Sequence, residues 1–466
     1  MPRVSGTETA EAPDGGAAPD RDDPNTLVRR DAVLIVAVLL DRTPAEPFRP
    51  GPLERVWRAG RHDEVVSHAE RRAAYTDAGL TPLLWSPEVR WHRETTGPVV
   101  SPFGFRLDAV ELIRLTGSAR QTLAAMGTPP VANGVALLHG TLPPHAPVRM
   151  AKTLQECADV NAHRPHPAQR MWVADQLPPG CRIADFERKA VHCTLMTPRG
   201  ALPPPYEADL PEWELLDQWL WSMQHATQYP PSDEAREQLD GIRFPLPHCV
   251  RAALGSRGLT LIGADPEPAR NYYTGAAYHL TTLYADALAL ARLQQIVLDA
   301  FGAEVARVAE REPGRRPVAL LERELLVFRR SYWSAGFGRQ ENVDEMTRAW
   351  QRAAGLPDAL QRLTGDLGEL SRQVQAAETA TTNAILGLIA AFGLPLTAGL
   401  AVWAGLPSAG TTSLWRFLGV IAVATAALVV FFPGLRRLLV DLFRRRRPGT
   451  AARADGRRWR RWLRRS

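Results

Sequence analysis

Two adjacent pairs, His192-Cys193 and His248-Cys249, carry the residue types of a cysteine–histidine hydrolase or a zinc site. A thiol turns nucleophilic when a neighbouring imidazole takes its proton. Sequence neighbours on a strand point to opposite faces, so neither pair forms a dyad by itself. A histidine of one pair would have to meet the cysteine of the other, and ordinary buried cysteine is the reading the sequence favours. His163 and His166 flank Arg164-Pro165 with no acidic or cysteine partner nearby, a poor start for a metal site. GxxxxGK[ST], HExxH and GxSxG motifs are absent, and Gly336-Phe337-Gly338 follows no strand, which excludes it as a phosphate-binding turn. The expectation is a non-enzymatic chain without metal or cofactor.

The elements that would position these residues alternate in type. Ala32 to Leu40 is a continuous apolar run ended by Asp41 and two prolines, the mark of a strand buried on both faces. Weaker runs at Thr81–Trp85, Val131–Leu138, Met171–Ala174, Ala190–Met196 and Leu259–Ile262 predict further strands. Arg61–Ala78, Leu107–Met126, Met150–Asn161 and Glu212–Gln228 show apolar positions three or four apart and predict helices. An α/β domain over 28–268 follows, behind a tail at 1–27 too polar to build a core. Trp219 and Trp221 share a helical stripe with Leu215 and Met223, and core packing is favoured over a partner groove.

A helical region follows over 269–355. Its longest element, Tyr272–Val308, keeps spacings of three and four with one polar break at Gln294. From Pro357, a stalk helix over 356–383 places Leu360, Leu363, Leu367, Leu370, Val374 and Ala377 in alternating steps of three and four, the period of a coiled-coil seam. The seam can pair with another copy or with the Tyr272–Val308 helix of the same chain.

The stretch 384–435 reads as a two-helix transmembrane hairpin with spans at 384–404 and 417–435, each uncharged and long enough for a bilayer core of roughly 30 Å. Gly387, Ala391, Gly393, Pro395 and Thr397 are small or kinking residues suited to close helix packing. After the second span, 436–466 carries thirteen arginines against two aspartates, while the intervening loop carries one arginine. The positive-inside tendency then places both termini in the cytoplasm of a multi-pass plasma-membrane protein. Arg444, Arg445, Arg446 and Arg447, with Trp459 and Trp462, suit anionic lipid headgroups.

That tail dominates the formal net charge of +6. The body before it is mildly acidic, so the basic overall charge is no argument for nucleic-acid binding by the body, and no nucleic-acid partner is expected. Lys152 and Lys189 are the only lysines among 56 basic residues, a bias of GC-rich bacterial genomes. The four cysteines form no CxxC pair and predict no disulfide framework.

The order of parts, an α/β domain, long helices, a stalk entering the first of two spans and a basic tail, resembles the CorA-like magnesium transporters over about Tyr272 to Arg447. That family's Gly-Met-Asn motif is replaced by Ala401-Val402-Trp403-Ala404-Gly405-Leu406, and the loop lacks Asp or Glu, departures that count against transport. The layout also resembles membrane components of CATRA (caspase and TPR-repeat-associated) conflict systems, which implies signalling or effector action at a membrane. The functional expectation is a membrane-anchored sensor or scaffold, homo-oligomeric, with a cytoplasmic protein partner. A divergent CorA-like channel is the alternative, and a membrane-tethered cysteine hydrolase the third reading.

Overall fold

The computed structural model describes residues 27–54, 57–59, 64–66, 79–115, 131–144, 147–164, 166–200, 202–206, 210–232, 234–246, 249–264, 270–310, 314–333 and 341–404, with 415 and 419. The strands are β1 (Leu27–Leu40), β2 (Arg49–Pro50), β3 (Trp57–Ala59), β4 (Glu64–Val66), β5 (Arg90–Val100), β6 (Arg106–Arg114), β7 (Gly134–Thr141), β8 (Cys181–Ile183), β9 (Val191–Pro198), β10 (Val250–Gly255) and β11 (Gly258–Gly263). All but β3 and β4 join one nine-stranded sheet in the order β10-β11-β9-β1-β7-β6-β5-β2, with β8 also paired to β1. Among the described residues only β11 and β9 run parallel, so the sheet of this α/β domain is mixed.

The helices are α1 (Pro147–Cys157), α2 (Ala168–Gln176), α3 (Leu215–His225), α4 (Ala235–Ile242), α5 (Arg270–His279), α6 (Ala285–Glu310), α7 (Arg315–Phe328), α8 (Glu341–Ala353) and α9 (Leu356–Ala404). A π turn at Leu280–Tyr284 joins α5 to α6 without a break. The apolar run of β1 explains the layering. Leu34, Val36 and Val38 face Met150 and Leu154 of α1 and Trp219 and Met223 of α3 in one core. The alternate residues Val33, Ile35 and Ala37 are equally buried on the opposite face, where α6 lies across β1 and β7. Trp219 is a core residue whose indole N–H donates to the Pro203 carbonyl at 2.8 Å.

Three local expectations change type. Leu107–Met126 begins as strand β6, Met171–Ala174 lies in helix α2, and Thr81–Trp85 is a π turn. Of the helix expected at Arg61–Ala78, only β4 lies within the described residues.

The chain divides into two compact units, one of Met1–Glu312 with Arg316–Gly368, the other of Pro313–Arg315 with Glu369–Ser466. In the first, Leu360, Leu363 and Leu367 are buried, and a Cβ at Gly302 of α6 would lie 3.9 Å from a Leu363 methyl. These seam leucines therefore pack within the chain. In the second unit Leu370 and Val374 are buried, Ala377 is exposed, and Arg315 pairs with Glu378 at 3.4 Å.

The transmembrane hairpin is corrected. Among the described residues no helix is long and apolar enough to cross a membrane. Helix α9 is charged or polar around its seam from Leu356 to Asn383, and its more apolar part, which includes Gly387, Gly393, Pro395, Thr397 and Gly399, continues as helix to Ala404. Gly387 and Thr397 are exposed, the Thr397 hydroxyl donating to the Gly393 carbonyl at 2.8 Å, and the helix runs through Ala391 and Pro395. The second expected span, 417–435, lies outside the described residues apart from Gly419, as do Arg444 to Arg447, Trp459 and Trp462. The CorA-like two-span layout and the multi-pass plasma-membrane location lose their basis with the hairpin.

Candidate functional site: an arginine cleft at the end of the sheet

Antiparallel pairing brings the start of β1, the end of β7, the start of β6 and the end of β9 to one end of the sheet. Asp31 lies opposite Thr141, Thr141 opposite Arg106, and Arg29 opposite Thr197. Around this row opens a cleft of about 810 Å³, within the range of small-molecule sites. Arg29, Arg30 and Arg106 supply three guanidinium groups to it against the single carboxylate of Asp31. Thr141, Thr197 and Thr274 add hydroxyls, and Val100, Pro143 and Pro144 form an apolar wall.

The arginines are held in different ways. Arg29 Nη2 donates to Thr274 Oγ1 on α5 at 2.8 Å, with Asp31 at 3.7 Å. Arg30 projects to the other face of β1 and donates from Nε to the Leu142 carbonyl at 3.2 Å and from Nη1 to the Leu27 carbonyl at 2.8 Å. Arg106 is more than half exposed, with only a loose pair to Asp108 at 3.6 Å. Burial pulls the Arg30 guanidinium below its ordinary value; Asp31 opposes this and the like charge of Arg106 adds to it. The cation stays charged at any ordinary pH. Three cations with so little counter-charge are an electrostatic cost that an anion would relieve. Gly104, with φ of +83°, and Pro143 close the wall: a Cβ at residue 104 would stand 2.9 Å from the Pro143 Cβ.

Thr274 sits near the start of the continuous rod Arg270–Glu310, on the order of 60 Å long at about 1.5 Å per residue. Two buried ionic latches fix that rod to the sheet. Arg90 of β5 makes a bidentate pair with Glu111, both bonds 2.8 Å, and reaches Asp286 Oδ1 of α6 at 2.6 Å. His139 of β7 and the backbone N–H of Leu53 lie at 2.8 and 2.7 Å from the Glu111 carboxylate, and the Trp85 indole N–H donates to Asp286 at 2.9 Å. Burial would neutralise these groups. Asp286 and Glu111 nonetheless hold Arg90 above its ordinary value, and Arg90 and His139 hold Glu111 well below the usual carboxylate range. In the second latch Glu187 accepts from the Ala37 amide at 2.8 Å and from Arg292 of α6 at 2.6 Å. The polar break at Gln294 is satisfied too, donating to the Tyr332 carbonyl and accepting from Gln351.

The residues that first suggested chemistry are not brought together. The Cys193 thiol is fully buried, reaches only the Leu280 carbonyl at 3.9 Å, and is raised by burial above its ordinary value, the opposite of an activated nucleophile. Cys249 is buried and His248 lies outside the described residues. His163 and His166 are exposed, and among the described residues no three metal-ligating side chains converge.

His192 points away from Cys193 toward α3. It is 1% exposed, and burial together with the nearby Arg257 charge lowers it to about 4, a backbone hydrogen bond at Gln224 opposing them. A histidine near 6.5 when unfolded and about 4 when folded takes up its proton first in the unfolded state. Its contribution is complete above about pH 7, and stability is lost as pH falls from about 6.5 toward 4. Replacing His192 by Leu is expected to flatten that fall in urea midpoints measured across the range; an unchanged slope would assign it to other groups.

Nothing in the sequence announced the cleft, because its cations stand on strands far apart in the chain and only the sheet register assembles them. The pair Arg29-Arg30 directly before a long apolar strand was the one local signal. No protein-family model, no curated protein and no solved structure matches the chain. Neither the CorA-like nor the conflict-system resemblance therefore gains support from a relative.

Proposed function

We propose that this chain is a non-enzymatic sensor and scaffold that takes an anionic small molecule into the arginine cleft and passes its occupancy along the Arg270–Glu310 rod. One observation carries the reading: a single unbroken helical element touches the cleft through Tyr273 and Thr274 and reaches the buried α9 seam at Gly302 and Leu363. The input is Arg29. An anion competing for its guanidinium loosens or reorients the bond to Thr274. The latches at Asp286 and Arg292 keep the middle of the rod seated, so displacement at one end is felt as a small shift of packed side chains at the other. The output is the presentation of α9 to a protein partner or to a second copy of the chain.

Hydrogen exchange on the full chain with and without inorganic pyrophosphate tests this. Protection is expected at 27–31, 104–106 and 270–279, with altered exchange at 300–310 and 356–368. Changing Arg29 and Arg106 together to Gln is expected to weaken pyrophosphate binding at least tenfold while leaving the melting temperature within a few degrees, since neither side chain is buried. Absence of binding, or binding without any response in 300–310 and 356–368, would sink the sensor reading.

A further inference from the structure

The reading of the cleft as an anion site leaves its other wall unused. The lining of the cleft includes Val100, Pro143 and Pro144, with Val100 next to Arg106 across the β5–β6 pairing. Val100 ends β5 with 52% of its surface exposed, one of the few large apolar side chains among the described residues left so open. Pro143 and Gly104, both in the lining, lie so close that a Cβ at residue 104 would stand 2.9 Å from the Pro143 Cβ. A bare inorganic anion makes no use of this apolar surface. The volume, about 810 Å³, is also far larger than a phosphate group needs.

We infer that the cleft takes a nucleotide-class ligand: a phosphate-bearing molecule whose phosphates lie on Arg29, Arg30 and Arg106 and whose flat, weakly polar body covers Val100 and Pro144. The chemistry of each side matches. Guanidinium groups present planar forks of N–H donors to phosphate oxygens and their faces stack on flat rings. Thr141 and Thr197, on neighbouring strands to β1, offer hydroxyls that donate to phosphate or ribose oxygens. Covering Val100 removes exposed apolar surface from water, which a free phosphate cannot do. The phosphate contacts supply attraction and the apolar wall supplies selection between anions.

This inference rests on the anion-sensor reading, and the experiment separates the two. Isothermal titration of the full-length chain is run with the four nucleoside 5′-monophosphates, with inorganic phosphate and pyrophosphate, and with adenosine. At least one nucleotide is expected to bind tenfold or more tightly than inorganic phosphate, and adenosine alone weakly. Val100→Ser, a neutral change at an exposed position, is expected to weaken the nucleotide at least fivefold and pyrophosphate less than twofold, since it adds no charge beside Arg106, the cross-strand partner of residue 100. Arg106→Gln is expected to weaken both. Inorganic anions binding as tightly as every nucleotide, or a Val100→Ser variant that weakens both classes alike, would overturn the nucleotide assignment and leave the anion reading standing. No binding of any phosphate-bearing probe would overturn both.

Discussion

Replacing Arg90 by Met is expected to lower the unfolding free energy by about 3–5 kcal/mol at pH 7, the cost of leaving buried carboxylates without their cation. Arg90, Glu111, His139 and Asp286 are all at most 1% exposed, so water cannot take over the lost contacts. The pH dependence distinguishes this from simple loss of packing. In the natural chain Glu111 lies well below its ordinary value, so its contribution is present above about pH 4.5 and disappears only as pH falls through the lower folded value. Without Arg90, burial dominates and both carboxyls rise, so each can escape its penalty by taking a proton. The gap between natural and variant chains should therefore narrow from pH 7 to pH 5.5 in urea midpoints. A gap that stays constant would assign the loss to packing alone. Replacing Arg90, Glu111 and Asp286 together by Met and Leu should cost less than Arg90→Met, because no unpaired charge is then left inside.

The same buried network explains what could be read from the sequence. Strand β1 was legible because both its faces are buried and its apolar run needs no alternation. Strand β6 is also covered on both faces, but Glu111 interrupts its apolar residues. Counted as a solvated position, Glu111 leaves Leu107, Val110 and Ile113 at helical spacing; counted as an ion-paired core residue, it leaves a buried strand. The difference depends on Arg90, on another strand. Met171–Ala174 failed for a simpler reason, since an apolar run this short fits either structure. The seam from Leu360 to Val374 was correctly periodic, yet periodicity does not name the partner; Gly302 on α6, where no side chain stands in the way, does so for Leu363. The apolar stretch from Ala384 is read as a span by purity and length, and that reading does not stand, since among the described residues no helix is long and apolar enough to cross a membrane.

Gly258→Ala is expected to be the most damaging methyl that can be added to the sheet. Gly258 has φ of +132°, a conformation an L side chain rarely adopts, and a Cβ there would stand 1.8 Å from the His192 carbonyl oxygen. That oxygen belongs to β9, directly opposite Gly258 in the one parallel pairing of the sheet. Relief requires β11 to move away from β9, which breaks the bond from the His192 amide to the Arg257 carbonyl at 2.9 Å and that from Gln224 to the Gly258 carbonyl at 3.1 Å. Strain of about 1–3 kcal/mol and overpacking of similar size add to a loss of more than about 3 kcal/mol. Two alanine variants separate these causes. Gly51, at φ of +95°, has nothing within 4 Å of the added carbon and carries the strain without the clash, so about 1–3 kcal/mol is expected there. Gly255, paired with Gly258 beside the turn of the same hairpin, would meet the side-chain amide of Gln224 at 2.9 Å, which can swing aside, and Ile242 only at an ordinary 3.6 Å, and should cost less than Gly258. If Gly258→Ala unfolds no more easily than Gly51→Ala, β11 is not held against β9 as closely as the parallel register requires, and the wall it forms with His192 and α3 is looser than its burial implies.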